Sequence, residues 1–375
     1  MFLSFFQILL AAQFGINLFV IFLLIRQQKT MYVTIRWAII IMLLWCLRYV
    51  FLYIKLEDWT LDYPFLLIID QYLFFLDGLL LWMYTRSFLQ KKMRLTSYLQ
   101  FLPFVVFLSL ALFYSLQNPQ EIRENFTNTI SSLLQGARII RPQIIGFFLV
   151  IWGLSIIYFI KSQKEVTRYS ASIKDTFSNI DRIQLDWVLS YQKLWLVLFL
   201  IPMIFYSINY IYPALSVFIS SGALVLSMMV LSLYFNVHVL SQDHIQVNLP
   251  RKLIGPKNKQ DISPKEQQQL DHLYEQLKDQ KYYQNEQLSL NELAAYMELK
   301  PTELTELIKK SKYENFYDLI NSFRVEEVKD ALKTSSEQII VIAYQCGFNS
   351  KSAFNKIFKD KTGQTPKEFR NNTSI

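Results

Sequence analysis

Histidine is nearly missing from this chain of 375 residues: His238, His244 and His272 are the only three, and none lies in the first 235 positions. That leaves the N-terminal part without imidazole and excludes histidine-based metal chemistry there. The two cysteines, Cys46 and Cys346, are too few for a disulfide framework, and no redox or metal role follows from them. Glycine occurs nine times, in neither G-x-G-x-x-G nor G-x-x-x-x-G-K-[ST], so dinucleotide and P-loop phosphate cradles are absent. Charge is scarce too, at 18% of residues, against about 25% in an ordinary soluble domain. From these absences no catalytic residue, cofactor or metal site is expected, and the chain does not read as an enzyme. The first apolar run reaches Arg26 with neither a basic start nor a small-residue cleavage site, so no cleavable signal peptide is expected.

What is present is distributed unevenly. Residues 1–235 hold 18 Lys+Arg and 11 Asp+Glu, whereas residues 236–375 hold 20 and 19 in a much shorter stretch. Only six of the 30 phenylalanines fall in the second part. The first part is therefore built for lipid and the second for water.

A membrane crossing needs roughly 20 apolar residues. Seven runs qualify: Phe2 to Ile25, Trp37 to Ile54, Phe65 to Tyr84, Ser97 to Leu116, Gln143 to Ile160, Gln192 to Ile211 and Ala214 to Phe235. Alternate loops carry 12 basic residues on one side, among them Arg26, Lys91 and Lys174, and four on the other, Lys55, Arg123, Arg138 and Arg141. The excess marks the cytoplasmic side, placing the N-terminus outside and the C-terminal half in the cytoplasm.

Three ionisable residues fall inside these runs: Arg48, Asp70 and Asp77. Counting residues from the outer face puts Arg48 and Asp70 at a common depth, which allows an ion pair between the second and third spans. Asp77 is two turns deeper, without a cation at its own level except a snorkelling Lys193. Two readings stand: a polar ligand or proton site, or a structural pair with one protonated aspartate. Pro202 is expected to kink the sixth span.

Two loops are longer than a bundle needs. The outer one, Gln117 to Pro142, is polar enough to form part of a binding surface. The inner one, Lys161 to Tyr191, contains an amphipathic stretch whose Ile180, Ile183, Leu185 and Trp187 lie either on the bilayer surface or against the cytoplasmic half as a relay. Beyond Phe235 comes a linker punctuated by Pro250, Pro256 and Pro264; if flexible it reaches about 25–30 Å, which keeps the C-terminal region near the membrane. A helix is expected over Pro264 to Tyr282, and its stripe of Leu270, Leu273, Tyr274 and Leu277 is too short for an independent zipper, which favours packing on the next domain over self-association.

Short helices come next, each with its own punctuation. Ser289 and Glu292 form a capping box before the helix Leu290 to Met297. Glu298-Leu-Lys then leads to Pro301, suited to a first helical position, and the helix continues to Lys310. Phe316 to Lys333 makes a longer helix. The two-helix pattern then recurs: Ser335 caps Glu337 to Gln345, Gly347 turns the chain, and Ser350 starts Lys351 to Lys361. Pairs of short helices joined by tight turns are helix-turn-helix candidates.

These residues resemble the AraC/XylS family of DNA-binding domains, in which one long helix joins two helix-turn-helix units. The resemblance rests on Leu290-Asn-Glu-Leu-Ala294, on Phe323-Arg-Val-Glu-Glu-Val-Lys-Asp-Ala-Leu332, on Ile342-Ala-Tyr-Gln-Cys-Gly-Phe348, on Phe354-Asn-Lys-Ile-Phe-Lys359 and on Thr365-Pro-Lys-Glu-Phe-Arg370. The wider layout, with Asn315-Phe-Tyr-Asp-Leu-Ile-Asn321 and the inner-loop Ser178-Asn-Ile-Asp-Arg-Ile-Gln-Leu-Asp186, resembles membrane-anchored AraC-family regulators of Bacteroidetes-type bacteria. The resemblance implies that Asn349, Ser350, Lys351, Ser352, Asn355 and Lys356 face the major groove in the second unit, with Lys359 reaching phosphate. In the first unit it implies Lys300, Thr302, Glu303, Thr305, Glu306 and Lys309, where the two carboxylates depart from the usual basic or polar choice. Glutamate accepts from cytosine N4 but repels phosphate, so the second unit is expected to hold DNA more strongly.

The fold class that emerges is all-α, a seven-helix transmembrane bundle followed by a cytoplasmic double helix-turn-helix domain. The expected divisions are a sensor region 1–235, a linker 236–264, an amphipathic helix 265–284 and a DNA-binding domain 285–375. The expected function is a one-component transcriptional regulator, with double-stranded DNA, the bilayer and an unknown signal as partners. The alternative is a receptor or scaffold whose tail binds protein. The net charge of +8 is not the mark of DNA binding, because +7 of it belongs to residues 1–235. Affinity from one monomer should be modest and salt-sensitive, which leaves room for a homodimer.

Overall fold

The computed structural model describes residues 2–27, 33–56, 63, 65–89, 93–134, 142–211, 216–243 and 262–373, leaving out some side chains within the helices, that of Asp70 among them. The expected linker mostly falls outside these residues. Among the described residues all regular structure is helical, with a single isolated antiparallel bridge from Phe177 to Ser289. The chain divides into two compact units, Met1–Thr167 with Leu185–Asn248, and Arg168–Gln184 with Leu249–Ile375.

The first unit is built from α1 (Phe2–Gln27), α2 (Val33–Leu56), α3 (Phe65–Leu73), α4 (Leu76–Ser87), α5 (Leu95–Tyr98), α6 (Leu102–Gln117), α7 (Pro119–Leu134), most of α8 (Pro142–Thr176), α9 (Asp186–Ile211) and α10 (Ser216–Ser241). Within the described residues four helical stretches are long and apolar enough to cross a membrane: Phe5–Arg26, Val33–Ile54, Leu95–Gln117 and Gly222–Ser241. The third expected run is not one such helix. It breaks between α3 and α4, where the Phe75 and Asp77 amides turn back to the Tyr72 and Phe74 carbonyls at 3.1 and 3.4 Å.

Polar side chains inside this unit find one another. Ser232 donates to Asn17 Oδ1 at 2.9 Å, Asn236 to the same oxygen at 2.7 Å, and Gln13 to the Ser232 hydroxyl at 3.2 Å. Gly78 is required by close approach, because a Cβ there would lie 2.9 Å from the Ser155 Cα.

The second unit contains α11 (Pro264–Gln280), α12 (Leu290–Tyr296), α13 (Pro301–Lys310), α14 (Phe316–Thr334), α15 (Ile339–Gln345), α16 (Lys351–Thr362) and α17 (Pro366–Thr373). It has two cores strung on α14. One gathers Leu270, Leu273 and Leu277 of α11 with Leu293, Leu304, Ile308 and the α14 residues Phe316, Leu319 and Ile320. The other gathers Val325, Val328 and Leu332 of α14 with Ile342, Phe348, Phe354 and Phe358. The α11 stripe thus packs on the helix-turn-helix helices, and each buried leucine contributes about 1.5–3 kcal/mol. Helix α11 is shorter than expected. It stops at Gln280, where Lys281 turns left-handed at φ 50° and a 3₁₀ turn, Tyr282–Gln284, comes next.

Candidate nucleic-acid interface

In the second helix-turn-helix, α15 ends where Gly347 adopts φ +91°, and a Cβ at that position would lie 2.5 Å from the Tyr283 carbonyl oxygen. Only glycine satisfies both demands. The Phe348 amide closes the turn on the Ala343 carbonyl at 3.0 Å. Ser350 then caps α16, its hydroxyl accepting from the Ala353 amide at 3.2 Å. The apolar side of α16, with Phe354, Ile357 and Phe358, is buried, while Lys351, Ser352, Asn355, Lys356 and Lys359 are exposed, as is Asn349 just before the helix. Ser350 is only partly exposed. Lys361 is engaged elsewhere, on Asp318 at 2.5 Å and on Ser322 at 2.7 Å. Helix α15 starts later than expected: Ser335 accepts from the Glu337 amide at 3.1 Å in a local turn, and Gln338 stands at the N-cap.

The first helix-turn-helix repeats the same C-terminal closure with a different residue. Glu298 takes the left-handed position at φ 55°, and the Leu299 amide donates to the Ala294 carbonyl at 2.9 Å. The capping box of α12 is complete, with the Ser289 amide on Glu292 at 2.8 Å and the Glu292 amide on Ser289 Oγ at 3.3 Å.

On α13 the structure corrects the assignment of an outward face. Thr305 is buried at 4% exposure, its hydroxyl donating to the Pro301 carbonyl at 2.8 Å. Its position on a one-sided apolar helix, between Leu304 and the pair Leu307 and Ile308, turns it inward. Glu303 accepts from the Lys300 amide at 3.1 Å, so that carboxylate caps its own helix. Glu306 lies 3.6 Å from Lys309, and Thr302 is exposed.

The second unit also holds a segment for which the sequence allows two readings. Residues 168–184, the end of α8 and the turn after it, group with the helix-turn-helix helices rather than with the first unit. The Ser178 amide donates to the Leu288 carbonyl at 3.2 Å, beside the Phe177–Ser289 bridge. Arg324, 1% exposed, sits on α14 between the two cores. Its guanidinium donates to the carbonyls of Tyr283 at 2.7 Å, Asn285 at 2.8 Å and Ser178 at 3.2 Å, and to the Ser178 hydroxyl at 3.1 Å. Burial pulls the Arg324 pKa down to about 10. Asn321 donates to the same Ser178 carbonyl at 3.2 Å. The Asp181 carboxylate accepts from the Ser350 hydroxyl. Asp175 lies within electrostatic range of Lys309 and Glu306; burial raises its pKa and Lys309 partly opposes that shift. Sequence reading does not single out Arg324, although one signal is there: a lone arginine on the apolar side of a helix, between Phe323 and Val325.

In the first unit, Arg48 pairs with Asp77. Its Nη1 lies 2.8 and 3.0 Å from the two Asp77 oxygens, and Trp195 Nε1 donates to Asp77 at 3.2 Å. The depth count takes the third span as one straight helix, whereas the chain breaks there between α3 and α4. The Arg48 guanidinium also lies 4.2 Å from the Phe74 ring centroid. The side chain of Asp70 is outside the described residues. The space beside Asp77, lined also by Trp45 and Tyr191, is about the size of one water.

Residues 293–372 match the family described as Helix-turn-helix domain. An uncharacterized HTH-type transcriptional regulator of Staphylococcus aureus strain COL is 37% identical over 86 residues, 23% of this chain and 12% of that regulator. A second, from strain MSSA476, has the same identity and coverage. The match thus spans only about an eighth of the length of these relatives. Among solved structures, the C-terminal domain of AraT, a response regulator from Geobacillus stearothermophilus, is 23% identical with a TM-score of 0.26, covering 31% of this chain and 91% of that one. The C-terminal part of the chain is thus similar to a helix-turn-helix domain and to the matching region of HTH-type regulators.

Proposed function

We propose that this protein is a one-component transcriptional regulator of the AraC type, held in a bacterial inner membrane by seven spans, with its N-terminus outside and its DNA-binding domain in the cytoplasm. The observation that carries the reading is the pair of helix-turn-helix units strung on α14, the second presenting Asn349, Lys351, Ser352, Asn355, Lys356 and Lys359 on one exposed face. Amides, hydroxyls and amines so placed match base edges and phosphates of a major groove. Thr302, Glu306 and Lys309 complete the first unit's share. The membrane part of the proposal is supported by the four long apolar helices and by side chains such as Leu110 and Phe113, 61% and 64% exposed. The alternating basic loops supply its orientation, and a signal received by the bundle is the input.

The test is selection of DNA from a random-sequence duplex pool by the full chain in detergent micelles. A selected motif whose binding Lys356→Ala weakens supports the reading. Retention of all sequences equally, or of none, overturns it and favours a tail that binds protein.

A further inference from the structure

Residues 168–184 touch both units of the reading head. Asp181 binds the hydroxyl of Ser350, the residue that caps α16 and is among the positions assigned to the major groove. Asp175 lies within electrostatic range of Lys309 and Glu306 on α13. Between them the chain is pinned to α14: Ser178 is 1% exposed and meets Arg324 and Asn321 through its carbonyl, and its amide meets Leu288. Ile180 and Ile183 are also buried, at 6% and 5%. This is a seated segment with its own receptor site, and its Asp181 carboxylate takes up a residue of the second recognition helix, where bound DNA would offer phosphates and base edges, while Asp175 lies in electrostatic range of the first.

We propose that residues 168–184 are an internal ligand of the DNA-binding domain that competes with DNA, seated through Ser178 on Arg324 and Asn321 and covering the reading face through Asp175 and Asp181. The proposal rests on the assignment of Ser350, Glu306 and Lys309 to DNA reading. Ser350 cannot give its hydroxyl proton to Asp181 and to a base or phosphate at once, and a carboxylate beside it repels the DNA backbone. The polar contacts around Ser178 and Arg324 hold the segment in register. The two aspartates set the competition. Because the segment is continuous with α8 on one side and with α9 on the other, whatever draws on those helices changes how firmly it is seated.

The experiment measures binding of a mixed-sequence DNA duplex to the full chain in detergent micelles, for the unaltered protein, for Asp175→Ala/Asp181→Ala and for Asp279→Ala. The last removes one exposed carboxylate elsewhere in the same unit, so the share of net charge alone in the double variant is twice its gain in log affinity. Hydrogen–deuterium exchange over residues 177–184 is followed with and without DNA. The double variant is expected to bind about tenfold tighter than the unaltered chain and than Asp279→Ala, and exchange over 177–184 should quicken when DNA is added to the unaltered chain. If DNA binds but the double variant's gain in log affinity is no more than twice that of Asp279→Ala, and exchange is unmoved by DNA, the internal ligand is overturned while the DNA-binding reading stands. If no variant binds DNA, that reading fails and the internal ligand falls with it.

Discussion

Arg324 and Ser178 are 146 positions apart in sequence and joined by two hydrogen bonds, from Nη1 to the Ser178 carbonyl at 3.2 Å and from Nη2 to its hydroxyl at 3.1 Å. The same guanidinium satisfies the carbonyls of Tyr283 and Asn285. Arg324→Ala would take this donor from the Tyr283 and Asn285 carbonyls and from the Ser178 hydroxyl, and a loss of about 3–5 kcal/mol is expected for the second unit, the scale for breaking a buried charged network. Arg324→Lys keeps the charge but not the fork of donors, and should still lose about 2 kcal/mol. Equilibrium unfolding in guanidinium, followed by helical signal, measures both.

Glu298 and Gly347 do the same task with unequal fitness. A left-handed conformation costs a residue with a Cβ about 1–2 kcal/mol. Glu298→Gly should therefore stabilise the second unit by about 1 kcal/mol. Gly347→Ala should destabilise it by more than about 2 kcal/mol, since strain adds to the encounter with the Tyr283 carbonyl. Opposite shifts in the thermal midpoint are the expected result.

Glu266 joins α11 to α13. Lys310, 2.8 Å away, and the Ser263 amide, at 3.0 Å, together hold its carboxyl down at about pH 2. A carboxylate whose folded pKa is depressed contributes stability that is complete above its unfolded value, near 4.5, and fades as pH falls toward 2. Acid titration of the second unit should show loss of structure across that window. Glu266→Gln should be less stable than the unaltered chain at neutral pH and should respond less to acid.

These cases also mark how far sequence reaches. The box at Ser289–Glu292 and the left-handed turn at Gly347 are legible because both are local: the partners lie within three residues, or the residue type itself carries the constraint. The split of α14 between two cores is half legible, its apolar positions being periodic. Ser178 on Arg324 is not legible, because periodicity fixes which face is apolar and not which distant segment covers it. Thr305 is misplaced by sequence for a related reason. Chemistry makes it a candidate for bases, while its neighbours Leu304 and Leu307 give that side of the helix to the core.

The two recognition helices should respond differently to substitution. Thr305→Val removes a buried hydroxyl that serves Pro301, so it should leave the selected DNA sequence unchanged, with a stability cost of about 1 kcal/mol. Lys356→Ala should change base preference at one position, by about 1–3 kcal/mol in discrimination. Lys359→Ala should weaken all sequences alike and lower the slope of log affinity against log salt by about 1. Titrations at several salt concentrations, with selected and scrambled duplexes, separate the three.

The Arg48–Asp77 pair gives the bundle its own test. Arg48 is fully buried and Asp77 nearly so, with side-chain exposures of 0% and 5%, and Trp195 adds a donor to the carboxylate. Removing one partner strands the other charge away from water, so Arg48→Met or Asp77→Leu alone should each destabilise the bundle by about 3–5 kcal/mol. The double variant Arg48→Met/Asp77→Leu strands no charge, and where the pair is structural its stability should return close to the original, giving a large coupling energy in the cycle. Thermal unfolding in micelles reads stability, and DNA binding by the same variants reads signalling. A double variant that is as stable as the unaltered chain but unresponsive in regulation would assign the pair to signal reception; one that is stable and responsive would assign it to holding α2, α4 and α9 together.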